Sequence, residues 1–284
     1  MKFGVHISIA GGIEKAVTRA KKIGCDTFQI FTTNPRSWKE KELTNQQCEN
    51  FNQKLKRTDM QPIFAHMAYL CNLTSHEEEI WRKSIKLAIQ ELKRCECLKI
   101  PYLVIHPGSS KGKGKEYALK RILESISTIF ESFHGKTKLI IENITNKRLS
   151  LGCSLEDIGE IINKSVYEDK LGFCLDTCHA FASGYDFRQE ETINQIISIT
   201  RNKIGVKKLV LIHSNDSKYD LATGRDQHEH IGLGKIGYQG FENILQRKLF
   251  RKIPFICETP VDGRRNDSEN IHELKKLLIK ITKR

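Results

Sequence analysis

Long apolar runs are missing from this 284-residue chain. Nothing in it approaches the ~18 consecutive apolar residues of a membrane span, and its first residues, MKFGVHIS, lack a signal-peptide pattern. A soluble, intracellular protein with no membrane partner is expected. Prolines number six, and there is no low-complexity tract, no Pro/Ser-rich linker and no shift in composition along the chain. One domain spanning 1–284 is therefore expected rather than two joined by a tether. Disorder is excluded as well, because apolar residues make up 39% and charges of both signs are mixed. The nine cysteines are odd in number and never spaced CxxC. Cys25, Cys97, Cys174 and Cys257 lie in apolar stretches, where a reduced thiol acts as a small hydrophobe, so no disulfide framework is expected. What the chain has in surplus is positive charge: 47 Lys and Arg against 34 Asp and Glu, a net +13. That balance points to an anionic partner, nucleic acid first.

A short apolar run followed by a longer amphipathic stretch recurs through the chain. The runs are KFGVHIS, TFQIFT, PIFAHM, YLVIHPG, KLIIENI, LGFCLDTCH, KLVLIHSND and PFICETP, eight in all. Segments such as GIEKAVTRAKKIG and EDIGEIINKS lie between them, with apolar residues returning at three and four. Strands apolar on both faces, alternating with helices, predict a parallel sheet covered by helices. Eight such units filling the chain predict a single (β/α)8 TIM barrel. A doubly wound open sheet would use fewer strands, and no GxGxxG or GxxxxGK[ST] loop directly follows any of these.

In such a barrel the chemistry sits at the C-terminal ends of the strands. The closing residues are His6, Thr32, His66, His106, Glu142, Asp176 with His179 three further on, His213 and Glu258. One histidine at a strand end is usually structural. Several histidines and carboxylates around one rim, however, would crowd buried charge unless a cation joined them. Imidazole with carboxylate suits zinc, manganese or iron. After the seventh run, Asp226 and His228 are two apart, with His230 close behind; an extended Asp-x-His projects both side chains to one face. With His179 they make a third three-ligand group.

The motifs FTTNPRSW, HMAYLCNL, HPGS, IEN, GFCLDTCHAFASGYD, HSNDSK, DQHEHIGLG and ETP, in that order, resemble the endonuclease IV family of zinc-dependent apurinic/apyrimidinic (AP) endonucleases over essentially the whole chain. The resemblance implies hydrolysis of the phosphodiester 5′ to an abasic site in double-stranded DNA, leaving a 3′-hydroxyl and a 5′-deoxyribose phosphate, with trimming of blocked 3′ ends as a second activity. It implies three zinc ions, with manganese able to replace some: one on His66, His106 and Glu142; one on Glu142, Asp176, His213 and Glu258; one on His179, Asp226 and His228. Glu142 and Glu258 are the catalytic residues it implies, Glu142 bridging two centres and Glu258 orienting the attacking hydroxide. Arg36, Tyr69 and Leu70 match the residues that enter the gap in the duplex, while Trp38 and Asn72 read as supports. A monomer is expected.

Three departures stand out. Ser37 replaces a larger polar residue of the entering loop, Gln227 replaces an Arg between two ligands, and Ala222 replaces a Gly. Lys111, Lys113 and Lys115, interleaved with glycines after His106, are expected to follow a phosphate strand. Two other readings use the same barrel. A metal-dependent sugar isomerase or epimerase of the xylose-isomerase-like type would have no need of His179, Asp226 and His228 together, and a catalytically dead DNA-binding protein would be expected to lose ligands.

Overall fold

The computed structural model describes residues 1–38, 42–145 and 150–283. Each apolar run forms a strand: β1 (Phe3–Ile7), β2 (Phe28–Phe31), β3 (Ile63–His66), β4 (Tyr102–Ile105), β5 (Lys138–Glu142), β6 (Leu171–Asp176), β7 (Leu209–His213) and, after the short antiparallel pair β8 (Asp216–Ser217) and β9 (His228–Glu229), β10 (Phe255–Cys257). The eight long strands pair in parallel and close in the order β1-β10-β7-β6-β5-β4-β3-β2, the expected TIM barrel. Closure removes the exposed edges that an open sheet would leave unpaired.

The period of two along each strand divides the barrel interior into levels. Phe64, Val104, Ile140, Cys174, Leu211 and Ile256 form an apolar cluster of their own, separate from the main core. Two residues further along the same strands stand His66, His106, Glu142, Asp176, His213 and Glu258. An apolar plug thus sits beneath a polar ring, with side chains on one face of each strand supplying both. On β7 the alternation holds because a register shift between Phe173 and Cys174, which pair with Leu209 and Leu211, skips Val210 and turns Leu211 and His213 inward.

The main core lies between barrel and helices. In α5 (Leu155–Lys164), Leu155, Ile158, Ile161 and Ile162 are buried, and Ser154 caps the helix by accepting from the Asp157 amide. Each fully buried Leu, Ile or Phe in this layer contributes about 1.5–3 kcal/mol. The capping box of Thr44 and Gln47 starts α2 (Asn45–Lys56).

One expectation fails here. Cys97, read as a reduced apolar thiol, is disulfide-bonded to Cys48 across a separation of 49 residues, joining α2 to the end of α3 (Glu78–Cys97). Nothing local marks that pair, because it forms through the packing of two helices. Cys25, Cys174 and Cys257 are buried free thiols, as expected.

Candidate metal centre

The polar ring assembles at the C-terminal mouth of the barrel. Glu142 ends β5, is fully buried, and faces two ways. Its Oε2 lies 3.2 Å from His66 Nε2 and 3.3 Å from His106 Nε2, while its Oε1 lies 3.1 Å from His213 Nδ1. His213 Nδ1 is also 3.4 Å from Glu258 Oε2 and 3.9 Å from Asp176 Oδ2.

Asp176 closes β6 and caps the six-residue helix α6 (Thr177–Ala182), its Oδ1 accepting from the His179 amide at 2.7 Å. Strand and helix join without a loop, so His179 is held one turn above Asp176. His179 Nε2 meets Asp226 Oδ1 at 3.2 Å, and His228 Nε2 meets the same oxygen at 3.5 Å. The β8–β9 pair carries that loop back over the mouth. Buried Asp216 anchors the return, its carboxylate accepting from the amides of Gly232, Gly234 and Ile236. A Cβ on Gly234 would stand 2.5 Å from that carboxylate, so only glycine allows the approach.

The protonation of these histidines follows from their partners. His66 Nδ1 donates to the Met67 carbonyl, His179 Nδ1 to the Asn143 carbonyl, and His228 Nδ1 to the Glu258 carbonyl, at 2.8–2.9 Å. A carbonyl only accepts, so in the neutral ring the Nε2 atoms facing the carboxylates are bare lone pairs. Lone pairs pointed at carboxylate oxygens repel unless a cation lies between them. Glu142 Oε1, His213 Nδ1 and His228 Nε2 are accordingly buried with no hydrogen-bond partner. Without an ion, a proton takes that place on His179. Burial opposes charge on His179, but Asp176, Asp226 and Glu142 outweigh it and raise its pKa well above the imidazole range. Burial likewise opposes ionisation of Glu142, but His213 and His106 hold its pKa well below the carboxylate range.

Ligand atoms of His66, His106 and Glu142 lie within 4.8 Å of one another, as do those of Glu142, Asp176, His213 and Glu258, and those of Asp176, His179 and His228. Nitrogen and oxygen donors with anchored second nitrogens fit a divalent transition ion. Cys174 and Cys178 also come near, but burial pushes both thiols up to about 12, leaving them protonated.

The nine residues expected from the sequence thus gather at one mouth; the third group joins His179 and His228 to Asp176, with Asp226 Oδ1 3.2 and 3.5 Å from the two histidines. His230 does not join them: it is fully buried, its Nε2 bonded to Asp262 and its Nδ1 to the Asn270 amide. Tyr69, 67% exposed, walls a cavity of about 190 Å³ whose lining includes His66, His106, His179, Asp226, His228 and Glu258. Gln227 lines that cavity too. Tyr69 and Leu70 also border a wider cleft of about 770 Å³. Arg36 is exposed on the loop after β2. Asn72 is the support expected, bridging two loops through Ser109, whose amide donates to its Oδ1 and whose carbonyl accepts from its Nδ2. Trp38 is 37% exposed.

The three lysines differ in their partners. Lys111 pairs with Glu77, and Lys115, the first residue of α4 (Lys115–Ser132), pairs with Asp157 at 2.6 Å and lines a separate cavity. Only Lys113 of the three has no acidic partner among the described residues.

Sequence reasoning missed four further residues. Asn143 pins the ends of β5 and β6 through the Asp176 backbone, and Asn215 donates to Asp176 Oδ2 at 2.6 Å while accepting from the Glu258 amide. Thr177 Oγ1 donates to the Asn215 carbonyl. The fourth is Gln29, the one amide in the strand FQIF.

A family described as the xylose isomerase-like TIM barrel matches residues 17–281. The "probable endonuclease 4" of Halothermothrix orenii is 41% identical over 277 residues, covering 97% of this chain and 100% of that one. That of Methanoculleus marisnigri is 42% identical over 275 residues, covering 96% and 98%. Among solved structures, endonuclease IV from Thermus thermophilus superposes with a TM-score of 0.87 at 29% identity, covering 99% of this chain and 100% of that one. A D-tagatose 3-epimerase-like protein shares the fold at a TM-score of 0.74 and 20% identity, covering 100% and 99%.

Proposed function

The chain belongs to the endonuclease IV family of xylose isomerase-like TIM barrels, and from that premise we propose that it is a metal-dependent AP endonuclease. It would hydrolyse the phosphodiester 5′ to an abasic site in duplex DNA, leaving a 3′-hydroxyl and a 5′-deoxyribose phosphate, and would trim blocked 3′ ends. The observation that carries this reading is the set of imidazole nitrogens facing carboxylate oxygens at 3.2–3.5 Å around one cleft.

Three ions would be held: by His66, His106 and Glu142; by Glu142, Asp176, His213 and Glu258; and by His179, Asp226 and His228. Zinc suits this donor set, with manganese able to replace it at some centres. When bound, the ions supply positive charge to the scissile phosphate and bring the pKa of water toward neutrality.

The remaining work belongs to the chain. Glu142, with one oxygen toward each of two groups, holds those groups in fixed relation. Glu258 stands at the cavity wall with Oε2 toward His213, where it would accept a hydrogen bond from the attacking water and aim it. Tyr69, Leu70 and Arg36 would enter the duplex where the abasic nucleotide turns out. DNA as the substrate implies activity inside the cell, and a monomer would suffice. The epimerase reading rests on fold likeness alone, and nothing at the site favours it.

The test is a duplex holding one tetrahydrofuran abasic analogue, which cannot undergo β-elimination, so a cut 5′ to it is hydrolysis. Zinc-loaded protein that leaves this duplex intact would refute the reading. Glu258→Gln should lower kcat by about 10²–10⁴-fold, the range for losing a positioned acid–base group, while binding of the duplex in a gel shift persists.

A further inference from the structure

Strands β1 and β2 contribute no atom to any of the three ligand groups. At the level of the polar ring they present His6 and Gln29, which are neighbours in register. Gln29 is fully buried between Phe28 and Ile30, which are also fully buried. An amide in that position is costly unless its hydrogen bonds are made.

Gln29 makes three. Its Nε2 lies 2.7 Å from Glu258 Oε1 and 3.0 Å from His6 Nδ1, and its Oε1 lies 2.9 Å from His213 Nε2. A carboxylate only accepts, so the NH₂ end must face Glu258. The carbonyl end then faces His213 and can only accept, which puts the His213 proton on Nε2. His213 Nδ1 is left as the bare nitrogen toward Glu142, Asp176 and Glu258. The same amide occupies Glu258 Oε1 and leaves Oε2 directed at the centre.

We infer that Gln29 is the positioning residue of the group formed by Glu142, Asp176, His213 and Glu258, setting the tautomer of His213 and the carboxylate orientation of Glu258 from a strand that supplies no ligand. The inference rests on the metal reading above. His66, His179 and His228 are anchored by backbone carbonyls, whereas His213 is anchored by a side chain, so its anchor can be removed by substitution.

Gln29→Met keeps the length and removes every hydrogen bond. Zinc titration against a chromophoric chelator should then weaken one ion per chain by about 10–100-fold, the usual cost of losing such an anchor, with the others unchanged. Turnover of the tetrahydrofuran duplex should fall in kcat with KM preserved. Gln29→Met protein that binds all its zinc as tightly as the wild type overturns the inference. A second measurement needs no variant: long-range ¹H–¹⁵N spectra of zinc-loaded wild type should give His213 protonated at Nε2, and a proton at Nδ1 overturns the inference even where Gln29→Met does not fold. Wild-type protein that takes up no zinc overturns the metal reading itself, and this inference with it.

Discussion

At the scale of single residues, the three departures from the family pattern have unequal consequences. Gln227 keeps its part in the fold through its backbone, its carbonyl accepting from the Lys218 amide across the β8–β9 pair, so what the substitution changes is one charge at the cavity wall. Ser37 gives a shorter side chain beside Arg36. Ala222 carries a backbone cost: its φ is +60°, in the left-handed region, while its amide bonds to the Phe181 carbonyl and docks the loop on α6. That conformation costs an L-residue about 1–2 kcal/mol, against the roughly 0.5–1 kcal/mol of chain entropy that glycine forfeits on folding. Ala222→Gly should therefore raise stability by about 0.5–1 kcal/mol in chemical denaturation, with cleavage unaltered; a loss of stability would contradict the account.

At the scale of elements, α2 and α3 follow the two loops that carry Arg36 and Tyr69, and the Cys48–Cys97 bond joins them. Closing a 49-residue separation restricts the unfolded chain by an amount worth about 4 kcal/mol in the loop-entropy model. Cys48→Ser with Cys97→Ser should lower the guanidinium midpoint accordingly, and a reductant should lower that of the wild type but leave the double variant unmoved. The loop after β4 behaves differently from a uniform basic strip. Lys111 and Lys115 are each paired with a carboxylate, so under the proposed function Lys113 would be the cation left for a phosphate. Lys113→Ala should reduce the slope of log affinity against log salt by about 0.9, one released counterion, while Lys115→Ala should change it less. Equal effects would return the three lysines to one role.

For the whole molecule, charge and stability converge on the same point. The chain is +13 overall, yet Glu142, Asp176, Asp226 and Glu258 gather at one cleft, two of them fully buried. Under the proposed function, a cleft of that charge would repel phosphate until cations reversed its sign, so the basic surround would draw DNA in while bound ions made the site receptive. Chelation should abolish binding of the abasic duplex, and adding zinc should raise the melting temperature. Each site contributes about 2.7 kcal/mol when free zinc is 100-fold above its Kd. A melting temperature indifferent to zinc would contradict the metal reading.

The sequence alone determined the barrel and which residues stand at its mouth, because both depend on local period. Alternation of two made the eight strands readable, and the same alternation placed a His, Asp or Glu at the end of each strand from β3 to β10 that lines the barrel. Asp226 and His228 were readable from their spacing of two. Tertiary structure decided what depends on residues meeting from distant parts of the chain. Cys48 met Cys97 through helix packing, Lys111 and Lys115 found carboxylates on other elements, and His230 turned toward Asp262 rather than the cleft. Gln29 reached across β1 to Glu258 and His213, 229 and 184 residues away. A strand's own sequence says which face a side chain takes; only closure of the barrel says what stands opposite it.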